Sequence, residues 1–447
     1  MTSVYVKTMG CKVNTYDSHA LENQFKAQGY SLCQNDQDAN ITVVNTCSVT
    51  QNADREARYL ARRIRRENPN TLLVFTGCYA QTDSAKLMEM KEVDFVVPNE
   101  SKDDLVMLIA KGAHTKGKMP DTAKVVKENR QTHFKSSLTL FDKASSKRTR
   151  VFLKIQDGCN NFCAYCLIPY ARGVSRSVNP DEIISEVKRL AETGTQEVVL
   201  TGIHIGDYGR DLAMFKDNGV KDPIVDLLER FFDIPNIRLR ISSLEPSEAS
   251  EGLLDILYAN KERVCDHFHL PLQSGADHIL KLMGRSYDKA EYADAVFRIR
   301  KRFPEANIGC DIIPGFPGET DEHRTETIAF IRSLHLSYLH VFPYSKRPNT
   351  RALRMPHHVD GKVIKESAAT LRILSEELHK KYMTKFIGQT LKVIWESDLD
   401  KSGRRMGRTA NYLPVVAPES KDPGAGILTN SKLKGLVDNV RLLAVSQ

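Results

Sequence analysis

Three cysteines lie close together near the middle of the chain, at Cys159, Cys163 and Cys166. Their spacing, C-x3-C-x2-C, places three thiols on one tight loop, where they can bind three corners of an iron–sulfur cube and leave its fourth iron open. An open iron is available for chemistry, whereas a zinc or electron-transfer site is closed by four protein ligands. The alternative is a zinc knuckle or three buried cysteines, but no fourth ligand follows at zinc-ribbon or zinc-finger spacing. The loop therefore predicts a catalytic iron–sulfur centre.

A second group of cysteines lies in residues 1–112, where short apolar strands alternate with amphipathic helices. This alternation favours a doubly wound, parallel α/β domain. The expected strands lie near 3–8, 41–46, 72–77 and 93–97, and the expected helices near 17–28, 52–67, 81–90 and 101–111. Three of the strands lead into a cysteine, namely Cys11, Cys47 and Cys78, and ligands of such sheets bind beyond the carboxyl ends of the strands. The three thiols predict a second cluster site, with inert packed cysteines as the alternative.

The expected helix after Cys47 carries a row of arginines, including Arg58, Arg62 and Arg65. These residues are three or four positions apart, so helical geometry places them on one face. A planar guanidinium suits phosphate, and the row therefore predicts an RNA-binding surface. A solvated face with salt bridges explains the row equally well. The net charge of +8 is compatible with an RNA partner but does not require one.

The remaining chain predicts a linker and two further domains. Residues 113–144 are basic and lack apolar periodicity, which indicates a linker.

Residues 145–378 contain six strand–helix units, too few for a closed eight-stranded barrel, so we expect a partial (βα)6 barrel with the cysteine loop after its first strand. The expected strands lie at 151–155, 197–201, 237–241, 266–270, 307–313 and 337–342. Glycine-rich turns follow several of them, including the turn at Gly315, and His267 and His269 are interpreted as hydrogen-bonded histidines of the core or rim.

Residues 379–447 change to short strands separated by glycine, proline and asparagine turns, which predicts a small antiparallel β-barrel. Trp395 and Tyr412 lie among lysines and arginines in this segment. Aromatic faces can stack on RNA bases while cations follow the phosphates, so the barrel is expected to bind RNA. A capping domain with a solvated basic surface is the alternative.

The composition limits the cellular setting. Nine cysteines in a chain of 447 residues without a signal-peptide core indicate reduced thiols and metal ligation rather than a disulfide framework. Cys33, Cys265 and Cys310 stand alone and are interpreted as packing residues. No apolar run approaches the ~20 residues needed to span a bilayer. We therefore expect a cytoplasmic protein without membrane contact.

Over nearly its whole length the chain resembles the methylthiotransferases of the radical S-adenosylmethionine (SAM) superfamily. The six cysteines at the two predicted sites carry the resemblance. Two further stretches are most similar to the threonylcarbamoyladenosine branch of the family, namely Lys12-Val13-Asn14 and Ile241-Ser242-Ser243-Leu244-Glu245-Pro246. The resemblance implies two [4Fe-4S] clusters: a SAM-binding cluster on Cys159, Cys163 and Cys166, and an auxiliary cluster on Cys11, Cys47 and Cys78. It also implies SAM contacts at Tyr165 and Gly315 and a terminal barrel of the TRAM type.

The activity implied by the resemblance is methylthiolation of C2 of N6-threonylcarbamoyladenosine at position 37 of tRNA, next to the anticodon. One SAM would methylate a sulfur held at the auxiliary cluster, and another would be cleaved to the radical that abstracts hydrogen from C2. The implied partners are tRNA carrying this nucleoside and a reductase-type electron donor, and a monomer is expected. Other branches modify isopentenyladenosine in tRNA or an aspartate in a ribosomal protein. A redox-sensing iron–sulfur protein that binds RNA is the alternative from another class, but it has no use for an open iron.

Overall fold

The computed structural model describes residues 1–110, 149–438 and 440–446, so the linker predicted at 113–144 lies outside the described residues. The chain forms two compact units. The first contains the described residues of Met1–Asp142, together with Gln156–Asn179 and Ser345–Thr350. The second contains those of Lys143–Ile155, Pro180–Tyr344 and Arg351–Gln447. Both cysteine triplets therefore belong to the first unit, and the predicted division at 1–112, 113–144, 145–378 and 379–447 stays a prediction.

The first unit is built on a parallel sheet of five strands. In chain order the strands are β1 (Ser3–Thr8), β2 (Ser31–Leu32), β3 (Ile41–Thr46), β4 (Leu72–Gly77) and β5 (Phe95–Val96). Their order in the sheet is β2-β1-β3-β4-β5, and every neighbouring pair is parallel. The doubly wound parallel sheet is thus confirmed.

The helices of this unit pack on the sheet through apolar faces. Their bounds are Lys12–Ala27, Gln51–Glu67, Cys78–Thr82, Ser84–Met88, Leu105–Ala110 and Ile168–Arg172, with a 3-10 turn at Asn99–Asp104. Ala57, Leu60 and Ile64 of the arginine-rich helix are buried in one core with Val44 and Phe75 of the sheet. The arginines project from the remaining surface of that helix because its apolar residues occupy the face toward the sheet.

Two helices begin at a cysteine or directly after one, earlier than their sequences predict. The helix expected near 17–28 starts at Lys12, directly after Cys11, and Val13 and Tyr16 in its first turns are buried. The helix expected near 81–90 is two short helices, the first of which starts at Cys78. Tertiary burial extends the helices into segments whose apolar periodicity is too short to reveal them.

The second unit contains the predicted partial barrel. Its strands are Val151–Lys154, Glu197–Thr201, Arg238–Ile241, His267–His269, Asn307–Ile312 and Tyr338–Val341. These six strands form two parallel sheets of three strands each. A parallel bridge between Leu239 and Val264 joins the two sheets. The surrounding helices are Pro180–Glu192, Ala213–Asp217, Pro223–Phe232, Glu251–Ala259, Asp277–Met283, Lys289–Arg302, Asp321–Ser333 and Gly361–Thr384, with 3-10 turns at Ile205–Asp207, Pro246–Glu248, Lys261–Arg263 and Arg351–Arg354.

A closed five-stranded barrel follows in the same unit. Its strands are Thr390–Leu399, Arg405–Thr409, Pro414–Val416, Leu428–Leu436 and Leu442–Ser446. The predicted small barrel is confirmed, although Pro414–Val416 and Leu442–Ser446 pair in parallel. A closed ring with an odd number of strands cannot alternate direction throughout, so one parallel pair is unavoidable.

None of the described helices combines the length and the apolar character needed to cross a membrane.

Candidate functional site

The N-terminal cysteines meet at one edge of the sheet. The strands β1, β3 and β4 are neighbours, with Thr8 in register with Asn45 and Thr46 in register with Gly77. Cys11, Cys47 and Cys78 follow the carboxyl ends of these strands. Cys47 and Cys78 are buried, whereas Cys11 is exposed. Strand order therefore brings together three thiols that are far apart in the sequence.

Glycines beside these cysteines make room for the close approach. Gly10 has φ of +93°, and a Cβ atom there would lie 2.8 Å from the sulfur of Cys47. Gly77 has φ of +95°, and a Cβ atom there would lie 2.4 Å from the carbonyl oxygen of Thr46. Glycine alone accepts both the left-handed backbone and the short contact.

The environment of these thiols fits a metal cluster. Burial and, to a smaller extent, the neighbouring thiols of Cys78 and Cys11 raise the pKa of Cys47 to about 12. A thiol in this setting stays protonated unless a cation replaces the proton, and iron binds thiolate. The side-chain amide of Asn99 donates a hydrogen bond to the sulfur of Cys78 at 3.7 Å. Hydrogen bonds of this type tune iron–sulfur sites.

The loop of the second triplet is closed at its base. Gln156–Asp157 pairs with Arg176–Ser177 in a short antiparallel ribbon. The N–H of Cys159 donates to the carbonyl of Gly173 at 3.1 Å. Gly158 has φ of +74°, and a Cβ atom there would lie 2.0 Å from the carbonyl oxygen of Val174. This crossing of the two loop ends fixes the segment that carries the cysteines.

Inside the loop, backbone N–H groups already point at sulfur. The N–H of Asn161 donates to the sulfur of Cys159, and that of Ile168 donates to the sulfur of Cys166, both at 3.4 Å. All three cysteines of the loop are half-buried and none forms a disulfide. These features fit thiolate ligands of a cluster that SAM must reach.

A buried arginine connects the supports of the two triplets. The guanidinium of Arg172, which is 2% exposed, donates to both carboxylate oxygens of Asp157 at 3.0 Å, beside the second triplet. It also donates to the side-chain oxygen of Asn14 and to Asp17 at 3.2 Å. The amide of Asn14 in turn donates to the carbonyls of Met9 and Thr46 at 2.7 and 2.9 Å. One charge therefore braces the loop and the N-terminal sheet edge.

Two further cations of the first unit pair with the carboxylates that contact Arg172. Lys102 pairs with Asp17 at 3.0 Å, and Arg176 pairs with Asp157 at 3.1 Å. Burial opposes the charge of Arg172, but Asp157, Cys78 and Asp17 more than compensate and hold its pKa well above the usual range. Sequence reasoning missed this residue, because its position shortly after Cys166 was the only signal available.

A second missed arginine supports the segment after Cys47. Arg347 donates to the carboxylate of Asp54 at 2.6 Å and to the hydroxyl of Ser48 at 2.7 Å, and both contacts are buried. Arg347 comes from Ser345–Thr350, which belongs to the first unit although its neighbours in the sequence do not. No local pattern relates two segments so distant in the chain.

The predicted SAM contacts lie in different units. Tyr165 is half-buried in the cysteine loop of the first unit. Gly315 lies in the second unit with φ of +82°, and its N–H donates to the carboxylate of Glu319 at 2.6 Å. Burial raises the pKa of Glu319 to about 7. A role in SAM binding stays a prediction for both Tyr165 and Gly315.

The arginine row divides into bound and exposed members. Arg65 donates to the carbonyls of Glu92, Pro69 and Thr71 and to the carboxylate of Asp94. Arg58 donates to the hydroxyl of Tyr79 at 2.6 Å, next to Cys78. Arg62 is exposed, as are Arg55 and Arg66, and Tyr59 beside them is 64% exposed. The helix thus presents basic residues and one aromatic ring on a single exposed face.

Trp395 does not lie on the surface of the terminal barrel, so the expectation that it stacks on bases is wrong, whereas Tyr412 is half-buried. Trp395 is fully buried in the barrel core, and its ring N–H donates to Thr429 at 2.9 Å. Tyr412 stacks on His267 at 4.6 Å and lies against the guanidinium of Arg240 at 4.8 Å. A closed barrel turns alternate side chains inward, which the sequence pattern did not resolve.

Two protein families match the chain: "Uncharacterized protein family UPF0004" over residues 3–98 and the radical SAM superfamily over residues 153–331. Among curated relatives, a threonylcarbamoyladenosine tRNA methylthiotransferase MtaB from Bacillus subtilis is 37% identical over 94% of this chain and 92% of the relative. A protein of the same name from Aquifex aeolicus is 35% identical over 94% of this chain and 98% of the relative. The radical SAM methyltransferase TsrM from Kitasatospora setae aligns with a TM-score of 0.55 and 17% identity over 79% of this chain and 77% of that one, a likeness of fold alone.

The partial barrel and the C-x3-C-x2-C loop define a radical SAM enzyme. The chain belongs to the radical SAM methylthiotransferase family, and its similarity to the threonylcarbamoyladenosine branch is confirmed. Membership makes it a transferase whose chemistry depends on SAM and iron–sulfur ligation.

Proposed function

We propose that this enzyme methylthiolates C2 of N6-threonylcarbamoyladenosine at position 37 of tRNA. The names of the relatives support this substrate. The observation that carries the proposal is that two cysteine triplets belong to one compact unit and share the bracing residue Arg172. When bound, two iron–sulfur clusters and SAM would supply the radical, the sulfur and the methyl group, and a reductase-type donor would supply the electron that cleaves SAM.

The chain's own contribution is to hold these groups and to exclude water. Cys47 and Cys78 are buried at the sheet edge, so ligands bound there are shielded from solvent on that side. The cysteine loop is less buried, and its N–H groups at Asn161 and Ile168 offset negative charge on the thiolates. The two triplets therefore suit different roles: the N-terminal triplet, with two of its three thiols buried, suits protection of a sulfur, and the half-buried loop suits entry of SAM.

A nucleoside analysis tests the substrate. In a strain that lacks this protein, mass spectrometry of tRNA nucleosides should show that the C2-methylthio form is lost and that N6-threonylcarbamoyladenosine accumulates. Complementation with the intact gene should restore the modified nucleoside. Loss of methylthio-isopentenyladenosine instead would move the enzyme to the other tRNA branch, and unchanged tRNA would point to a protein substrate.

The exposed face of the arginine-rich helix is the proposed RNA contact. Arg55 and Arg62 flank the exposed ring of Tyr59, a combination of cations and an aromatic face that suits single-stranded RNA. Arg58 and Arg65 take structural roles in this proposal, because Arg58 donates to Tyr79 and the donors of Arg65 are used by carbonyls and by Asp94. The electron donor, the monomeric state and the cytoplasmic location remain predictions from the sequence.

Salt-dependent binding tests this surface. Each phosphate contact with a single strand contributes about 0.7 to the slope of log K against log salt, so the double variant Arg55→Gln/Arg62→Gln should reduce the slope by about 1.4. Lys86→Gln, an exposed cation elsewhere in the same unit, should leave the slope unchanged. If the double variant left the slope unaltered, the arginines of this helix would form a solvated face that does not bind RNA.

A further inference from the structure

Two histidines and one aspartate of the second unit converge on a single point. The ring nitrogen Nε2 of His269 lies 3.0 Å from Oδ1 of Asp311, and Nδ1 of His340 lies 3.4 Å from the same oxygen. All three atoms lie within 4.8 Å of one another. None of these residues belongs to the cysteine sites, which are parts of the first unit.

The sheet register brings these side chains together. His269, Asp311 and His340 come from three neighbouring parallel strands, and Asp311 is directly in register with His340. His269 is in register with Gly309, two residues before Asp311. Because alternate residues of a strand share a face, Gly309 and Asp311 point to the same side of the sheet.

The glycine in this register allows a tyrosine to orient the buried histidine. A Cβ atom on Gly309 would lie 2.0 Å from the ring of Tyr338, so the tyrosine ring lies across the glycine. The hydroxyl of Tyr338 thereby reaches Nδ1 of His269 at 3.0 Å and Nε2 of His267 at 2.8 Å. A hydrogen-bonding partner on the second ring nitrogen is the usual way in which proteins orient a histidine that ligates a metal.

We propose that His269, Asp311 and His340 bind one divalent transition-metal ion. Zinc binds nitrogen and oxygen ligands at about 2.0–2.2 Å, so two ligands of one ion lie roughly 3–3.5 Å apart, as the two contacts of Asp311 already do. Two histidines with one carboxylate also form the ligand set of non-haem iron sites with open positions.

The three side chains differ in exposure, and this difference indicates that the proposed metal site is accessible from one side. His269 is buried and Asp311 is partly covered, whereas the side chain of His340 is 55% exposed. The metal would therefore be held from one side and would keep coordination positions for water or for an oxygen ligand. A site of this form can bind a carboxylate or a hydroxyl group of a small ligand.

The opposing explanation is a network of hydrogen bonds without a metal. In that network Nε2 of His269 carries a proton toward Asp311, and Tyr338 donates to Nδ1. Both explanations satisfy the same distances, but only one predicts that the protein retains a metal ion. The difference can be measured on the full-length protein with its clusters in place.

Zinc binding to the cluster-loaded protein tests the proposal, because the cluster-forming cysteines are then occupied. After dialysis against zinc, elemental analysis should find about one zinc ion per chain, and X-ray absorption should show only nitrogen and oxygen neighbours at 2.0–2.2 Å. Asp311→Asn and His340→Ala should each lose at least tenfold in zinc affinity while keeping the far-ultraviolet circular dichroism of the parent. His278→Ala, which removes a histidine stacked on His323 in the same unit, should bind zinc normally.

Three results would overturn the proposal. The parent protein could retain no zinc. The retained zinc could have sulfur neighbours, which would place it on cysteine. The two ligand variants could bind zinc as tightly as the parent, which would reduce His269, Asp311 and His340 to a hydrogen-bonded network.

Discussion

The two cysteine triplets of the first unit are built in opposite ways. Cys159, Cys163 and Cys166 are held by one short loop whose ends cross at Gly158 and Gly173. The N-terminal triplet comes from three strands and meets only because β1, β3 and β4 are neighbours in the sheet. A loop of this kind can keep its spacing while the rest of the unit fluctuates, whereas the sheet edge exists only in the folded state. Metal binding at the second kind of site is coupled more strongly to folding.

The largest expected effect follows loss of the contiguous triplet. Replacing Cys159, Cys163 and Cys166 by alanine should abolish release of 5′-deoxyadenosine from SAM, because no other described residues offer this three-thiol loop. The iron content of the anaerobically reconstituted protein should fall by about half if one of the two proposed four-iron clusters is lost. Iron and sulfide analysis with chromatography of the SAM products measures both. Cys33→Ala, which removes a thiol outside both triplets, is the control and should change neither quantity.

The N-terminal triplet should separate radical formation from product formation. Replacing Cys11, Cys47 and Cys78 by alanine leaves the cysteine loop intact, so SAM cleavage under a strong reductant should persist. No methylthio-nucleoside should form from tRNA carrying N6-threonylcarbamoyladenosine. Chromatography of both products from one reaction decides the matter. Methylthiolation by the folded variant would mean that these cysteines are packing residues and that sulfur reaches the substrate by another route.

Arg172 offers a smaller change that acts on both triplets. Arg172→Met leaves Asp157 and Asp17 buried with fewer positive partners, and breaking a buried ion pair costs about 3–5 kcal/mol. The remaining pairs of Lys102 with Asp17 and of Arg176 with Asp157 place the expected loss in the free energy of unfolding near the lower end of that range. Urea unfolding of the full-length protein measures it.

Matched variants sharpen the role of Arg172. Arg172→Lys keeps the charge but loses the fork whose two nitrogens reach Asp157 and Asp17 separately, so its stability should lie between those of the parent and Arg172→Met. Arg230→Met removes an exposed ion pair with Asp181 and should cost less than 1 kcal/mol. If Arg172→Met lowered the free energy of unfolding by no more than Arg230→Met does, the buried network around Arg172 would contribute little to holding either triplet.

The sequence by itself determined the features that depend on local spacing and on periodicity. The three-thiol loop needs only the intervals between Cys159, Cys163 and Cys166. The parallel sheet and the partial barrel follow from alternating apolar strands and helices, because each element must bury one face. The convergence of Cys11, Cys47 and Cys78 was predictable for the same reason: parallel strands deliver their carboxyl ends to one edge.

Only the tertiary structure decided which polar side chains find partners. Arg62 and Arg65 share a helix and a residue type, yet Arg62 is exposed and Arg65 is bound to carbonyls and to Asp94. Trp395 looked available to RNA but fills the barrel core. The contact between Arg172 and Asp17 joins segments far apart in the chain. Periodicity reports that a residue faces inward or outward, but a hydrogen bond or an ion pair needs the position of a second group, and chain folding alone supplies that position.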